Sequence, residues 1–149
     1  MERTERVILT NLCMLRQGTK VLVEEKVGKD YRGIIFPGGH VEEHEPIVDS
    51  VIREIKEETG LTIENPVLCG VKNWIEEDGI RYIVFLFRAE KFSGTLESSD
   101  EGAVFWMAID DVLNLPWIWG MDNLMKIFVD GVFSEFYMKE EDGWEPVMK

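Results

Sequence analysis

Residues 46–59, PIVDSVIREIKEET, constrain the fold of this chain more than any other segment. Pro46 stands in the first turn of the helix they predict and Gly60 just past its end, the usual placement of these two residues at helix termini. At about 100° per residue, Ile47, Val48, Val51, Ile52 and Ile55 share one apolar arc, while Asp49 and Lys56 lie opposite. A helix with one apolar face needs a second layer to cover it. Glu54, Glu57 and Glu58 break the simple pattern. They cluster at i, i+3 and i+4 spacing, and Glu58 falls at the edge of the apolar arc itself.

The covering layer reads as β-sheet. Residues 7–15 and 21–23 are apolar around Gln17-Gly18-Thr19, which predicts a β-hairpin. Residues 34–36 form a short strand ending at Pro37-Gly38-Gly39. Residues 67–75 and 80–89 predict a second hairpin around Glu76-Glu77-Asp78-Gly79. Residues 104–108 and 133–138 read as further strands. Asp110 is placed to cap a short helix, and 121–129 predicts a second helix closed by Gly131. The expected architecture is α/β of the α+β kind, with helices packed on a mixed sheet, and 149 residues without a linker fit one domain over 1–149.

Composition excludes some partners. Sixteen Lys and Arg against 29 Asp and Glu give a formal net charge of −13, which repels nucleic-acid polymers and anionic membrane surfaces. Cys13 and Cys69 read as free thiols rather than a disulfide framework. The N-terminus is polar, and no apolar stretch nears the ~18 residues of a membrane span, so the expected location is the cytoplasm.

The acidic helix edge has two readings. A run of carboxylates is often a solvated face. Alternatively, three adjacent acids gather a hard divalent cation, which removes their mutual repulsion and prefers carboxylate and phosphate oxygens. Arg53, one turn before Glu57, would then orient a ligand.

A resemblance to a known family distinguishes these readings. Gly39, Glu45 and the run Arg53-Glu54-Ile55-Lys56-Glu57-Glu58-Thr59-Gly60-Leu61 resemble the complete Nudix box. At roughly one in fifteen per fixed letter, chance agreement is on the order of 10⁻⁸ per starting position. The resemblance implies the Nudix fold, a mixed β-sheet sandwiched between helices, with the box as loop–helix–loop. It implies Mg²⁺- or Mn²⁺-dependent hydrolysis of a nucleoside diphosphate linked to another group. Glu54, Glu57, Glu58 and the Gly39 carbonyl would ligate metal, Glu45 and Arg53 would hold loop and helix in place, and Glu57 or Glu54 would serve as the base.

Outside the box, Ser99-Asp100-Glu101-Gly102 and Trp117-Ile118-Trp119-Gly120-Met121-Asp122 resemble the MutT-like branch, the oxidised purine nucleoside triphosphate diphosphatases. By that resemblance Glu101 completes the metal site and Trp119 lines the base pocket. The branch normally has two adjacent acids after that Trp, where this chain has Met121 and Asp122, and a base-contacting Asn where this chain has Ile35. Tyr31 and Arg32 stand in the preceding loop, within reach of a base or phosphate. The expected activity is cleavage of a nucleoside triphosphate, 8-oxo-dGTP among the candidates, to the monophosphate and pyrophosphate, by a monomer or homodimer. Hydrolysis of ADP-ribose or dinucleotides is the near alternative, and a non-catalytic nucleotide sensor the alternative from another class. His40 and His44 read as exposed loop polarity.

Overall fold

The computed structural model describes residues 2–27, 32–115 and 120–149. Ten strands run in chain order: β1 (Val7–Gln17), β2 (Lys20–Val27), β3 (Arg32–Ile35), β4 (Leu61–Glu64), β5 (Val67–Ile75), β6 (Arg81–Ala89), β7 (Lys91–Gly94), β8 (Gly102–Ala108), β9 (Glu135–Glu140) and β10 (Trp144–Met148). Helix α1 (Ile47–Thr59) separates β3 from β4, and α2 (Met121–Met125) continues into a wider π-helical turn over Lys126–Asp130.

The large sheet is mixed, in the order β10-β9-β5-β6-β1-β2-β3, with β8 on β2. β1 runs parallel to β6, from Val7 opposite Arg81 to Leu15 opposite Ala89. The β1–β2 hairpin pairs only next to its turn, at Arg16 with Val21 and Gln17 with Lys20. Beyond that point the two strands part, and residues 37–41 enter beside β1. Their backbone is held there by Cys13 N–H to Pro37 O (2.9 Å), Asn11 N–H to Gly39 O (2.8 Å) and Val41 N–H to Leu9 O (2.9 Å). The glycine loop is therefore an irregular strand, and its position is set by backbone groups that β1 would otherwise leave unsatisfied.

Strand alternation divides the core in two. Cys13, Leu15, Leu22, Phe87 and Ala89 face α1, where they bury Val51 and Ile55 together with Leu61 and Ile63 of β4. Met14, Val21, Val23, Val84 and Leu86 face the other way, onto Met121, Leu124, Ile127 and Phe128. Phe36 and Phe128 meet edge to face at 5.3 Å on that second side.

Both predicted hairpins are present, as are the strands before Pro37 and after Gly102 and the two main helices. β4, β7 and β10 escape the sequence reading, because each is at most five residues long, too short for alternation to mark it. Asp110 does not cap: the short 3₁₀ helix Ile109–Asn114 follows Ala108, with no side-chain cap. The last predicted strand begins two residues later than expected, at Glu135. Cys13 and Cys69 are free thiols. Among the described residues, no helix is long and apolar enough to cross a membrane.

Ile55 is fully buried between α1 and the sheet. Ile55→Ala is expected to cost about 2–5 kcal/mol in urea unfolding, with the circular dichroism of the native state retained.

Candidate active site

The buried arc of α1 is rotated from the one its apolar residues define. Val48 is 45% exposed, whereas Ser50 is fully buried and Glu58 is 3% exposed. The cause is the glycine loop, which lies along the helix row Ser50, Glu54, Glu58 at i, i+4 and i+8. Asn11 on β1 ties the three pieces together. Its Nδ2 donates to Ser50 Oγ (3.0 Å), and its Oδ1 accepts the Gly39 N–H (3.1 Å). Ser50 Oγ in turn donates to Ile47 O (2.6 Å). One step along the loop, the Gly38 N–H donates to Glu58 Oε2 (3.1 Å).

Close approach requires glycine at position 38 and favours it at position 39. A Cβ on Gly38 would overlap the Asn11 carbonyl, and one on Gly39 would overlap the Glu54 carboxylate.

Arg53 organises the acids on the outer side. Its Nε and Nη2 grip Glu45 in a two-pronged pair (2.8 and 2.9 Å), while Nη1 donates to Glu54 (2.9 Å) and lies 3.3 Å from Glu57. Nη2 also reaches the His40 carbonyl (2.9 Å). The guanidinium holds the Glu45 carboxyl down to about 2, with help from the Glu42 N–H. Arg53 thus touches the box acids and the loop backbone, the geometry of a positioning residue.

On the inner side, one carboxylate oxygen each from Glu24, Glu58 and Glu101 lie within 4.8 Å of one another. Glu24 is fully buried, and neither of its carboxylate oxygens has a hydrogen-bond partner among the described residues. Burial pushes the Glu58 carboxyl up to about 10, reinforced by the neighbouring Glu24 and Glu101 and opposed by Lys26. Three acids packed this way, one of them without a donor among the described residues, form a set that could hold a divalent cation. They open onto a cleft of about 400 Å³ that Lys26, Gly39, His40 and Glu54 also line.

The predicted residues divide accordingly. Glu58 and Glu101 converge, and Glu54 and Gly39 share their cleft. The Gly39 carbonyl already accepts the Asn11 N–H, which leaves it one lone pair. Glu57 points outward, its side chain 58% exposed beside Arg53. Asp122 is exposed in the first turn of α2, and Ile35 is half-buried against the core on that side. Arg32 contributes its backbone to β3, opposite Val27, and its side chain lies outside the described residues, as do Tyr31 and Trp119. His40 and His44 are exposed, as expected.

Glu24, Lys26, Asn11 and Ser50 are absent from the sequence reading. The first two carry a usable signal, since alternation along β2 puts residues 24 and 26 on the face of Leu22, toward α1.

Residues 6–128 match the NUDIX domain, and the chain belongs to the Nudix family. It is a pyrophosphohydrolase of that family, with the MutT type of fold. The chain is 36% identical over 124 residues to the Nudix hydrolase YvcI of Bacillus subtilis, covering 80% of this chain and 77% of that protein. The ADP-ribose pyrophosphatase of Methanocaldococcus jannaschii is 31% identical over 107 residues, 69% of this chain and 61% of that one. The 8-oxo-dGDP phosphatase of Mus musculus is 35% identical over 88 residues, 58% of this chain but 26% of its own length. Among solved structures, the MutT protein of Bacillus halodurans superposes with a TM-score of 0.78 at 26% identity, covering 95% of this chain and 97% of the other.

Because Glu58 retains its proton when folded, its contribution to stability is complete below its ordinary value of 4.5 and is lost as pH rises through about 10. The melting temperature of the protein in EDTA should therefore fall between about pH 6 and pH 9. Calorimetry of Glu58→Gln should show a shallower fall, and an unchanged slope would contradict the assignment.

Proposed function

We propose that this chain is a Mg²⁺- or Mn²⁺-dependent hydrolase of nucleoside triphosphates, releasing a nucleoside monophosphate and pyrophosphate. The observation that carries the reading is a cluster of three carboxylates, Glu24 and Glu58 buried and Glu24 without a donor among the described residues, beside a cleft whose wall holds a lysine. By this reading Glu54, Glu58, Glu101 and the Gly39 carbonyl would hold the cation, and Glu57, which points outward, would join them only by turning from Arg53. When bound, the cation neutralises the diphosphate and lowers the pKa of a water molecule.

The remaining work falls to the protein. Lys26, on the cleft wall, neutralises phosphate oxygens and helps orient the chain of phosphates. Glu57, or Glu54 beside it, accepts the proton of the attacking water. Glu57 is suited to this by its exposure, and Arg53 fixes its direction without burying it. Arg53 acts through Glu45, Glu54 and the His40 carbonyl rather than on substrate. Asp122, Ile35, Arg32 and Trp119 are assigned to the base and sugar by their resemblance to MutT-like enzymes. An aliphatic Ile35 supplies no hydrogen bond to a base edge, so selection of oxidised guanine rests on the other three. The single domain over 1–149 and a cytoplasmic setting belong to the same reading.

Hydrolysis of a nucleoside diphosphate linked to a sugar, ADP-ribose above all, is the second reading, favoured by the similarity to an ADP-ribose pyrophosphatase. A panel of nucleoside triphosphates, 8-oxo-dGTP, 8-oxo-dGDP, ADP-ribose and dinucleotides with Mg²⁺, followed by separation of the products, decides between them. Turnover of a triphosphate to monophosphate and pyrophosphate is the expected result. Activity on ADP-ribose alone selects the second reading, and activity on none of them selects a nucleotide sensor.

Glu57→Gln is expected to lower kcat roughly 10²–10⁴-fold with an unaltered melting temperature. Full activity in that variant would remove Glu57 from the chemistry.

A further inference from the structure

We infer that Glu24 of β2 is itself a direct ligand of the divalent cation, joining Glu58 and Glu101 so that carboxylates from three separate elements converge on it. The inference rests on the metal-dependent reading above and extends it by a residue outside the Nudix box. Glu24 comes from the sheet, Glu58 from α1, and Glu101 from the turn that precedes β8.

The case begins with burial. Glu24 has no exposed surface and its two carboxylate oxygens have no hydrogen-bond partner among the described residues. A buried carboxylate in that state is costly unless a proton shared with the adjacent Glu58 or a cation answers it.

The geometry fits a cation. Mg²⁺ binds oxygen at about 2.0–2.1 Å, so two ligand oxygens on one ion lie at most ~4.2 Å apart. The three carboxylate oxygens lie within 4.8 Å of one another, so a movement of up to about 1 Å brings each onto a common ion. Glu24 and Glu58 are buried and Glu101 is exposed, so the cluster is closed on two sides and open toward the cleft. A phosphate oxygen and water complete the coordination from that open side, as hard cations with few protein ligands require.

Alternation along β2 makes the arrangement specific. Leu22, Glu24 and Lys26 share a face, so one strand supplies, in succession, a core residue, the proposed ligand and a cation at the cleft wall. Residue 25, on the opposite face, cannot substitute for Glu24.

Calorimetric titration of the full-length, metal-free protein with Mn²⁺ alone, without nucleotide, tests the assignment. Wild type, Glu24→Gln, Glu24→Asp and Glu77→Gln are compared, the last being exposed in the β5–β6 turn. Glu24→Gln should weaken Mn²⁺ binding at least tenfold, Glu24→Asp should weaken it less, and Glu77→Gln should match wild type. The Mn²⁺-induced rise in melting temperature should shrink in the same order, while the metal-free melting temperature of Glu24→Gln stays level or rises, since it no longer buries a charge. If Glu24→Gln does not fold, the withdrawn carboxylate of Glu24→Asp carries the same test. Unchanged Mn²⁺ affinity in the Glu24 variants, or a lower metal-free melting temperature with affinity intact, overturns the inference and leaves Glu24 a structural partner of Glu58. A wild-type protein that binds no Mn²⁺ up to millimolar concentration overturns the metal reading itself.

Discussion

The hydrogen bond from the Gly38 N–H to the Glu58 carboxylate is the contact on which the rest of the site depends. Glu58 is buried on a helix whose opposite edge is solvated, and a carboxylate in that position needs donors or a cation. The loop amide supplies one donor only if the loop lies against the helix. It lies there only because β1 and β2 part after their turn and let residues 37–41 hydrogen-bond along β1. The sheet topology, the glycine loop and the orientation of α1 are thus parts of one solution to the burial of one acid.

Two side chains hold that solution from either side. Asn11 links strand, loop and helix beneath the site, and Arg53 links loop and helix above it. Between them the row Ser50, Glu54, Glu58 is clamped, which explains the close approach at both glycines: the backbone has been drawn against carboxylate and carbonyl oxygens. The net charge of −13 takes on a local meaning in this setting. Part of it is concentrated beside one cleft, with Lys26 at the wall as the opposing charge.

Much of this is legible in the residue order. The amphipathic period of 46–59, with Pro46 and Gly60 at its ends, identifies α1 to within a residue, because helix propensity and capping are local properties. The box spacing identifies the family for a similar reason: its ligands lie on one loop and one helix, so their separation in sequence is their separation in space. β4, β7 and β10 escape because short strands owe their existence to their partners. Asp110 fails as a cap because the chain leaves β8 directly into a 3₁₀ turn.

Sequence alone therefore determines the family, the helix that carries the acids, and the candidacy of Glu54 and Glu58, since motif and periodicity are short-range; Glu101 is a candidate by family resemblance only. It also determines which face of β2 holds Glu24 and Lys26, though not what that face meets. Only the tertiary structure decides that Glu24 lies beside Glu58, that Glu57 points outward with Arg53, and that Asn11 ties the loop down. Each of these depends on elements far apart in the chain, and their meeting is set by how strands pair and by which buried charges must be answered, quantities that no local pattern contains.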